Sequence, residues 1–330
     1  MTQSTAPDNI QEKKSQYTNI RILIGRSGLL IALIILFVAL SLVAPNFLTT
    51  RNMLNVLRQV SFVGIIACGM TLALISGNVD LSVGSVVALS SALLGVLYVK
   101  LGWPLPLAIV AVLLEATIVG ILAGLIRVRW KIPALIITLA LMISLRGIAF
   151  MLTNAFPIPI TDERFAYLGG GYAFGIPVPV IIFLIIAAIF IFISTRTIYG
   201  RSIYAVGGNE EAARLSGIRV NFIPISILGI TAFLSAISGI LLTSRLTAAY
   251  AGVGVGWEFD AIAAVLIGGT ALFGGEGSIT GTLLGVLFIG LLANGMVLLG
   301  VNPYLQDVAR GAIILLAVLL SVLQQPKTDS

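Results

Sequence analysis

The sequence predicts an all-α membrane protein, a polytopic bundle of about ten transmembrane helices with broken or re-entrant segments. The first observation is composition, because 58% of the 330 residues are apolar and only 10% are charged, whereas about a quarter of a soluble domain is charged. The second is that long uncharged runs recur from Ser27 almost to the C-terminus. A helix needs roughly 20 apolar residues to cross a hydrocarbon core about 30 Å thick, so one membrane domain accounts for most of the chain.

The N-terminal segment is polar and precedes the first apolar run. Residues 1–26 carry several Lys and Arg residues, and we expect them to form a cytoplasmic tail. A signal peptide with a shorter apolar core is the alternative interpretation of the 27–44 run. Pro45 stands where the cleavage site would lie, so we favour an uncleaved first span.

Breaks of polar residues, proline or glycine divide the rest of the chain into candidate spans. The ten spans are 27–44, 60–76, 81–99, 105–126, 132–152, 176–195, 222–245, 259–273, 279–299 and 308–323. The 259–273 run is short and contains or adjoins two glycine pairs, so we expect a broken or re-entrant helix there. These spans define a membrane domain at 27–323, followed by a C-terminal tail at 324–330.

The distribution of basic residues predicts the topology. With the N-terminus in the cytoplasm, twelve of the 19 Lys and Arg residues fall in cytoplasmic segments and four in external ones. This bias predicts ten crossings with both termini in the cytoplasm of a cell (inner) membrane protein. The two largest hydrophilic interruptions, 153–175 and 196–221, then lie on opposite faces. The net charge of +6 is a topology signal, and we expect no nucleic-acid partner.

Composition also excludes several chemistries. The chain has no His, which removes imidazole metal sites, Ser-His-Asp triads and histidine proton relays. Its single cysteine, Cys68, lies in an apolar run, so no disulfide framework or thiolate cluster is available. The phosphate-binding pattern G-x-x-x-x-G-K-[ST] is absent from the sequence. We therefore expect no metal, no cofactor and no enzymatic activity, with ATP hydrolysis occurring on another protein.

The inner loop at 196–221 carries the signals of a short helix. Asn209 is a good N-cap, and acidic residues in the first turn suit the positive end of a helix. Gly217 is placed to end the helix. We expect about two turns on the cytoplasmic face, with small residues that let another protein approach closely, Ala212 and Ala213.

Three blocks of sequence carry a family resemblance. Glu211-Ala212-Ala213, three further residues and Gly217 resemble the EAA-type coupling motif of permeases in ATP-binding-cassette (ABC) importers. The chain is similar to the ribose-type monosaccharide permease family in three blocks, namely Asn-Val-Asp-Leu-Ser-Val-Gly at 78–84, the segment at 201–217 and the block at 259–269. The similarity extends over about 45–323.

The resemblance implies a transport subunit that translocates a pentose or hexose across the cytoplasmic membrane. Its implied partners are an ABC ATPase with a double cassette, a periplasmic or extracellular sugar-binding protein, and a second permease copy in a homodimer or heterodimer. For two of the residues, Arg201 and Arg214, anchoring to the inner membrane face is the alternative role. The implied ATPase-coupling residues are Arg201, Gly207, Gly208, Asn209, Glu211, Ala212, Ala213, Arg214 and Gly217.

Polar residues at or inside the spans are candidates for the translocation pathway: Asn78, Asp80, Ser82, Glu115, Arg146, Asp260 and Asn294. Asp80 and Asp260 could contact solute or cap helices. A charge inside a span costs about 2.5 to 3.5 kcal/mol at mid-bilayer. An ion pair between Glu115 and Arg146 is therefore expected, and solute contact is the alternative.

Two further patterns concern packing. Trp103 and Trp257 lie next to span ends and are predicted to anchor the protein at the membrane interface. The spacing of Gly281 and Gly285 predicts a close helix contact.

Other functions remain open at the level of sequence. The same architecture serves permeases for branched-chain amino acids or nucleosides. A self-sufficient, ion-coupled secondary transporter would use intramembrane acids such as Asp80, Glu115 and Asp260. A membrane-embedded enzyme is disfavoured, because the chain lacks His and has no acid cluster on one helix face.

Overall fold

The computed structural model describes residues 28–323, with side chains for residues 28–319. The predicted tails at 1–26 and 324–330 lie outside the described residues. The last described helix ends at residue 323, where the predicted membrane domain also ends. Four two-residue strands pair as β1 (Ile158–Pro159) with β4 (Ala248–Ala249) and β2 (Tyr172–Ala173) with β3 (Ile176–Pro177). The helices in this part of the chain are α1 (Gly28–Val43), α2 (Thr50–Ile75), α3 (Val83–Gly95), α4 (Leu105–Trp130), α5 (Ala134–Thr153), α6 (Glu163–Gly170), α7 (Val178–Arg196), α8 (Ile198–Gly208), α9 (Glu210–Leu215), α10 (Phe222–Leu246), α11 (Trp257–Ile267), α12 (Ile279–Leu298) and α13 (Pro303–Leu323).

Among residues 28–323, seven helices are long and apolar enough to cross a membrane. They are α2, α3 with the π-helical turn that extends it to Lys100, α4, α5, α7, α10 and α12. Each overlaps a predicted span, although α2 begins ten residues before the predicted start at 60, and this confirms a helical, multi-pass membrane protein. The predicted count of about ten is not confirmed, since α1 and α11 are shorter than such a span and α13 is not among the seven.

The connections between helices collect on two opposite faces. On one, Arg127 Nη2 at the end of α4 lies 3.8 Å from Glu210 Oε2 in α9, so we call it the α9 face. On the other, β1 pairs with β4 beside α6, and Lys100 Nζ donates to the Leu152 carbonyl oxygen over 3.0 Å. We call this the α6 face. α7 joins the two, so the two large hydrophilic interruptions lie on opposite faces, as the sequence predicted.

The connection between α2 and α3 turns back into the bundle. α2 ends at Ile75 on the α9 face, and residues 76–82 are not helical. Thr231 Oγ1 donates to Asp80 Oδ2 over 2.6 Å, and Thr231 lies about 14 Å along α10 from its start. α3 therefore begins inside the bundle, and residues 76–100 cross it as an extended segment followed by a helix.

A second broken segment follows α10. Residues 250–256 form turns alongside α3, where Tyr250 N donates to Ser91 Oγ over 3.1 Å. The helix that follows, α11, has 11 residues, a length of about 16 Å, or half of a hydrocarbon core. It ends at the first glycine pair. The 259–273 run is thus a short helix in a broken segment, as expected, and is not a continuous span.

Small residues hold α11 against α12. An added Cβ at Gly285 would overlap the carbonyl oxygen of Ala264, and one at Gly281 would overlap that of Gly268. The predicted close contact at this glycine spacing is confirmed, because only a hydrogen at these positions lets the two backbones meet.

The two halves of the bundle have the same order of elements in opposite orientations. α2, a break, α3, α4 and α5 correspond to α10, a break, α11, α12 and α13. α2 has 26 residues and runs towards the α9 face, whereas α10 has 25 and runs towards the α6 face. α4 packs on α10, and α12 packs on α2. Such inverted repeats with broken helices are typical of transporters, whose solute sites lie near the breaks.

Candidate translocation and coupling sites

The N-termini of α3 and α11 meet inside the bundle, and Arg146 of α5 ties the two breaks together. Its Nη2 donates to the Gly84 carbonyl oxygen over 3.0 Å. Its Nη1 donates to the carbonyl oxygens of Ala251, over 3.0 Å, and Val253. A half-buried guanidinium needs such acceptors, and broken helices leave carbonyls available to supply them. We call residues 82–85, 250–258 and Arg146 the junction.

Glu258, the second residue of α11, completes the junction. Its exposed fraction is 5%, and its Oε2 has no hydrogen-bond partner among the described residues. An added Cβ at Gly84 would overlap this oxygen, so a glycine there leaves room for the carboxylate. The nearby Arg146 interacts electrostatically with this carboxyl group and offsets part of the cost of burying it.

A cavity of about 390 Å³ opens at the junction. That volume lies within the range of small-molecule pockets. Its mouth lies on the outer surface of α5, where Ile143 and Val255 are 68% and 65% exposed. The lining residues are Ser85, Met142, Ile143, Arg146, Phe150, Val255 and Glu258.

The first break holds three of the pathway candidates. Asp80 is buried, and its Oδ1 accepts hydrogen bonds from Ser82 N over 2.9 Å and from Ser82 Oγ over 2.6 Å. Asn78 is also buried and donates to the backbone and side chain of Ser76. The bonds of Ser82 to Asp80, with the bond from Thr231 described above, tie this break to α10, whereas Asn78 bonds locally to Ser76.

Two other candidates lie away from the cavity at the junction. Asp260 Oδ1 lies 2.7 Å from Arg310 Nε of α13, beside a void of about 30 Å³. Asn294 exchanges side-chain hydrogen bonds of 3.0 and 2.9 Å with Asn52 near the α6 face. Both contacts join helices that are distant in sequence. Sequence analysis did not predict the Asp260–Arg310 ion pair, because the two residues lie 50 positions apart on different helices.

The prediction of an ion pair between Glu115 and Arg146 is wrong. Arg146 faces the breaks and donates to three carbonyl oxygens there. Glu115 Oε2 is buried without a hydrogen-bond partner in the described part of the chain. The physical reason is that the breaks place backbone acceptors around Arg146, which helix periodicity cannot reveal.

The prediction for Trp257 is also wrong. Its ring stacks on that of Phe62 with centroids 6.2 Å apart, and Phe62 lies at the midpoint of α2. Because α11 begins inside the bundle, a residue at the start of that helix does not lie at a membrane interface.

The short helix on the α9 face has the predicted ends. Asn209 Oδ1 accepts a hydrogen bond from Ala212 N over 2.9 Å, which confirms the N-cap. Gly217 has a φ of 82°, a left-handed conformation that glycine adopts without strain. The Gly217 and Ile218 amides donate to the Arg214 and Ala213 carbonyl oxygens, a Schellman end. The helix has six residues, so it is shorter than the two turns predicted.

The surface of α9 combines charge with an exposed apolar side chain. Ala213 is buried against the bundle, whereas Ala212 is exposed. Glu211 and Arg214 form an exposed ion pair. Leu215 is 81% exposed, and sequence reasoning missed it because it weighed the motif residues alone. The result is a small exposed surface that combines an ion pair with an apolar side chain on a helix with capped ends.

A helix that sequence analysis did not predict, α8, holds this surface against the bundle. An added Cβ at Gly207 would overlap the Ile75 carbonyl oxygen at the end of α2. Tyr204 Oη donates to the Gly277 carbonyl oxygen over 2.9 Å. Arg201 and Gly208 are exposed. α8 therefore contacts the end of α2, where the first break begins.

Two guanidinium groups lie close together on the α6 face. Arg58 is 6% exposed, and its Cζ lies 4.8 Å from the centre of the Tyr172 ring. Arg245, at the end of α10, is near enough to interact with it electrostatically. Within residues 28–319, Arg58 Nε and Arg245 Nη1 are buried without hydrogen-bond partners.

Comparison with known proteins identifies the relatives of the chain. A family model described as "Branched-chain amino acid transport system / permease component" matches residues 52–318. The probable ABC transporter permease protein YphD of Escherichia coli is 46% identical, over 91% of this chain and 90% of its own. The ribose import permease protein RbsC of Haemophilus influenzae is 45% identical, over 88% and 90%. The L-arabinose ABC transporter permease protein AraH of Azospirillum brasilense is 39% identical, over 90% and 87%. No solved structure gives a significant match.

Proposed function

This chain belongs to the branched-chain amino acid transport system permease family, and on that premise we propose that it is the permease subunit of an ABC importer for a monosaccharide. The observation that carries the proposal is its 45% identity to a ribose import permease over 88% of the chain, which extends over the junction and α9. The family description names branched-chain amino acids, but the close relatives named for a substrate are named for ribose or arabinose. A sugar is therefore favoured, and an ion-coupled carrier is not.

We place the α9 face in the cytoplasm, with ten crossings and both termini on that side. Two contacts that define opposite faces support this arrangement, Arg127 with Glu210 on the α9 face and Lys100 with Leu152 on the α6 face. Successive helices alternate between the two faces if residues 76–100 and 248–267 each count as one broken crossing. The positive-inside bias supports the same orientation.

α9 is the contact for the ATPase, which we expect to be a double cassette. The support is its exposed Leu215, its charged pair and its fixed ends. α8 links this contact to the end of α2 at Gly207 and so to the first break. Movement of α9 with the ATPase would shift residues 76–82 and the start of α3, which would open or close the junction.

The remaining partners take the other surfaces. The sugar-binding protein docks on the α6 face, which lies opposite the α9 face that we assign to the ATPase. The second permease copy faces α5. Of the seven long apolar helices among the described residues, α5 has the smallest fraction of buried residues, 22% over an 18-residue stretch. The cavity mouth on α5 would then open between the two copies.

The test is transport in proteoliposomes. The permease reconstituted with its ATPase and binding protein should take up D-ribose or L-arabinose when ATP is supplied on the α9 face. The permease alone should be inert. Uptake by the permease alone, driven by a proton or sodium gradient, would identify a secondary carrier and refute the proposal.

A further inference from the structure

We propose that the junction cavity is a solute site within the membrane, in which the Glu258 carboxylate accepts hydrogen bonds from the hydroxyl groups of a neutral sugar in transit. This inference rests on the proposed function and adds a location and a recognising residue to it.

The first step concerns the unused hydrogen-bonding capacity of Glu258. Its side chain is 5% exposed and lines the cavity, and its Oε2 has no hydrogen-bond partner in the described structure. A buried acceptor without a partner costs about 1 to 3 kcal/mol, more if it is charged. A ligand that donates hydrogen bonds would remove this cost.

The second step concerns the charge of the ligand. Arg146 lines the same cavity and interacts electrostatically with Glu258. Because this guanidinium offsets the carboxylate, the cavity does not favour a cation. The unpartnered oxygen of Glu258 still requires hydrogen-bond donors. The hydroxyl groups of a neutral sugar supply such donors.

The third step concerns the strength of binding. Four of the seven lining residues are apolar, and one of them, Phe150, offers an aromatic ring. Ser85 Oγ already donates to the Met142 carbonyl oxygen over 2.6 Å. Few polar groups therefore face the ligand. A weak site suits transport, because a solute must leave as readily as it enters.

The first experiment replaces Glu258 in the complete complex of permease, ATPase and binding protein. Glu258→Gln keeps the side-chain size and should lower the initial rate of sugar uptake at least tenfold. The ATPase should still co-purify. Glu276→Gln is the matched control, because Glu276 is an exposed acid in the loop before α12 and lies outside the junction, α6 and α9, so its uptake should be unchanged.

The second experiment detects occupancy. Val255→Cys places a thiol at the cavity mouth, and the native Cys68 is fully buried. Excess D-ribose or L-arabinose, whichever the wild-type complex imports, should slow maleimide labelling of Val255→Cys several-fold. It should not slow labelling of Phe192→Cys, a residue of α7 that is 61% exposed. Protection should disappear when Glu258→Gln is combined with Val255→Cys.

The outcomes separate the two proposals. Loss of uptake in Glu258→Gln together with sugar protection at Val255→Cys supports the site. Normal uptake in Glu258→Gln, or reduced uptake without sugar protection, overturns the site and leaves sugar import standing. If the wild-type complex shows no ATP-driven uptake of any pentose or hexose, the proposed function fails and the solute site fails with it.

Discussion

The α9 surface and the junction differ in how their charges are paired. Glu211 and Arg214 on α9 face solvent, with side chains 64% and 58% exposed, and such ion pairs contribute about 0 to 1 kcal/mol to stability. At the junction, Arg146 is half-buried and donates to three carbonyl oxygens from two separate segments. Hydrogen bonds to a charged group contribute about 1.5 to 3 kcal/mol each.

This difference indicates a division of labour. Arg146 maintains the fold of the two breaks at the junction, whereas the charges on α9 are available to a partner. Changes at Arg146 should therefore affect stability first, and changes on α9 should affect ATPase binding first. The following variants test that division.

The largest effect is expected at Arg146. Arg146→Met removes the three hydrogen bonds to the breaks and should destabilise the permease by about 3 kcal/mol or more. A thermal unfolding curve of the purified protein in detergent measures the loss. The exposed Arg219 provides the control Arg219→Met, which should leave the curve unchanged. Equal curves for Arg146→Met and wild type would remove the distinction between the two regions.

The next effect is expected where the two regions are linked. Gly207→Ala places a methyl group against the Ile75 carbonyl oxygen, and overpacking of this kind costs about 1 to 3 kcal/mol. ATP-driven uptake should fall more than tenfold, because α8 can no longer rest against α2. Gly311→Ala in α13 is the control, since its added Cβ meets no described atom within 4 Å. Equal uptake by both variants would show that the contact between α8 and α2 is not required for ATP-driven uptake.

A smaller and more specific effect is expected at Leu215. Leu215→Ser removes an apolar side chain that is 81% exposed, so the fold should not change. Binding of the ATPase should weaken about tenfold, which corresponds to about 1.4 kcal/mol, because the change removes an apolar side chain that the interface would bury. A pull-down titration measures it. Ile198→Ser, at a residue 76% exposed on α8, should bind as wild type does, and an equal loss in both variants would refute a specific role for α9.

The smallest effect is expected at Asp162 on the α6 face. The Tyr98 hydroxyl donates to Asp162 Oδ2 over 2.8 Å, and this bond is the main cause that holds the pKa of the Asp162 carboxyl below its usual value. A lowered pKa in the folded state stabilises the protein above about pH 3.9, and the contribution is lost as the pH falls through the folded pKa. Asp162→Asn should therefore be slightly less stable than wild type at pH 7.

The pH series completes that test. The difference between Asp162→Asn and wild type should disappear at pH values below the usual range of the carboxyl. A difference that stays constant at low pH would show that the contribution does not depend on ionisation of Asp162.

The ends of α9 could be predicted because their signals are local. Asn209, the acidic first turn and Gly217 lie within nine residues, and each acts on backbone groups of its own helix. The seven long spans could be predicted for a similar reason, since apolarity over 18 or more residues is itself local.

The junction could not be predicted because its parts are distant in sequence. Gly84, Arg146 and Glu258 are separated by 62 and 112 residues, and the acceptors of Arg146 are backbone carbonyls whose positions depend on the breaks. The cost of an unpaired charge inside a span therefore suggested Glu115 as the partner of Arg146. Trp257 was predicted to lie at a membrane interface because a span start was assumed to lie at the surface.

Labelling of Leu215→Cys in oriented membrane vesicles tests the central claim most directly, that α9 is the cytoplasmic contact for the ATPase. Cys68 is fully buried, so the label should report on residue 215. A membrane-impermeant maleimide should react in inside-out vesicles, and bound ATPase should block that reaction. Reaction in right-side-out vesicles would place α9 outside the cell and contradict the account.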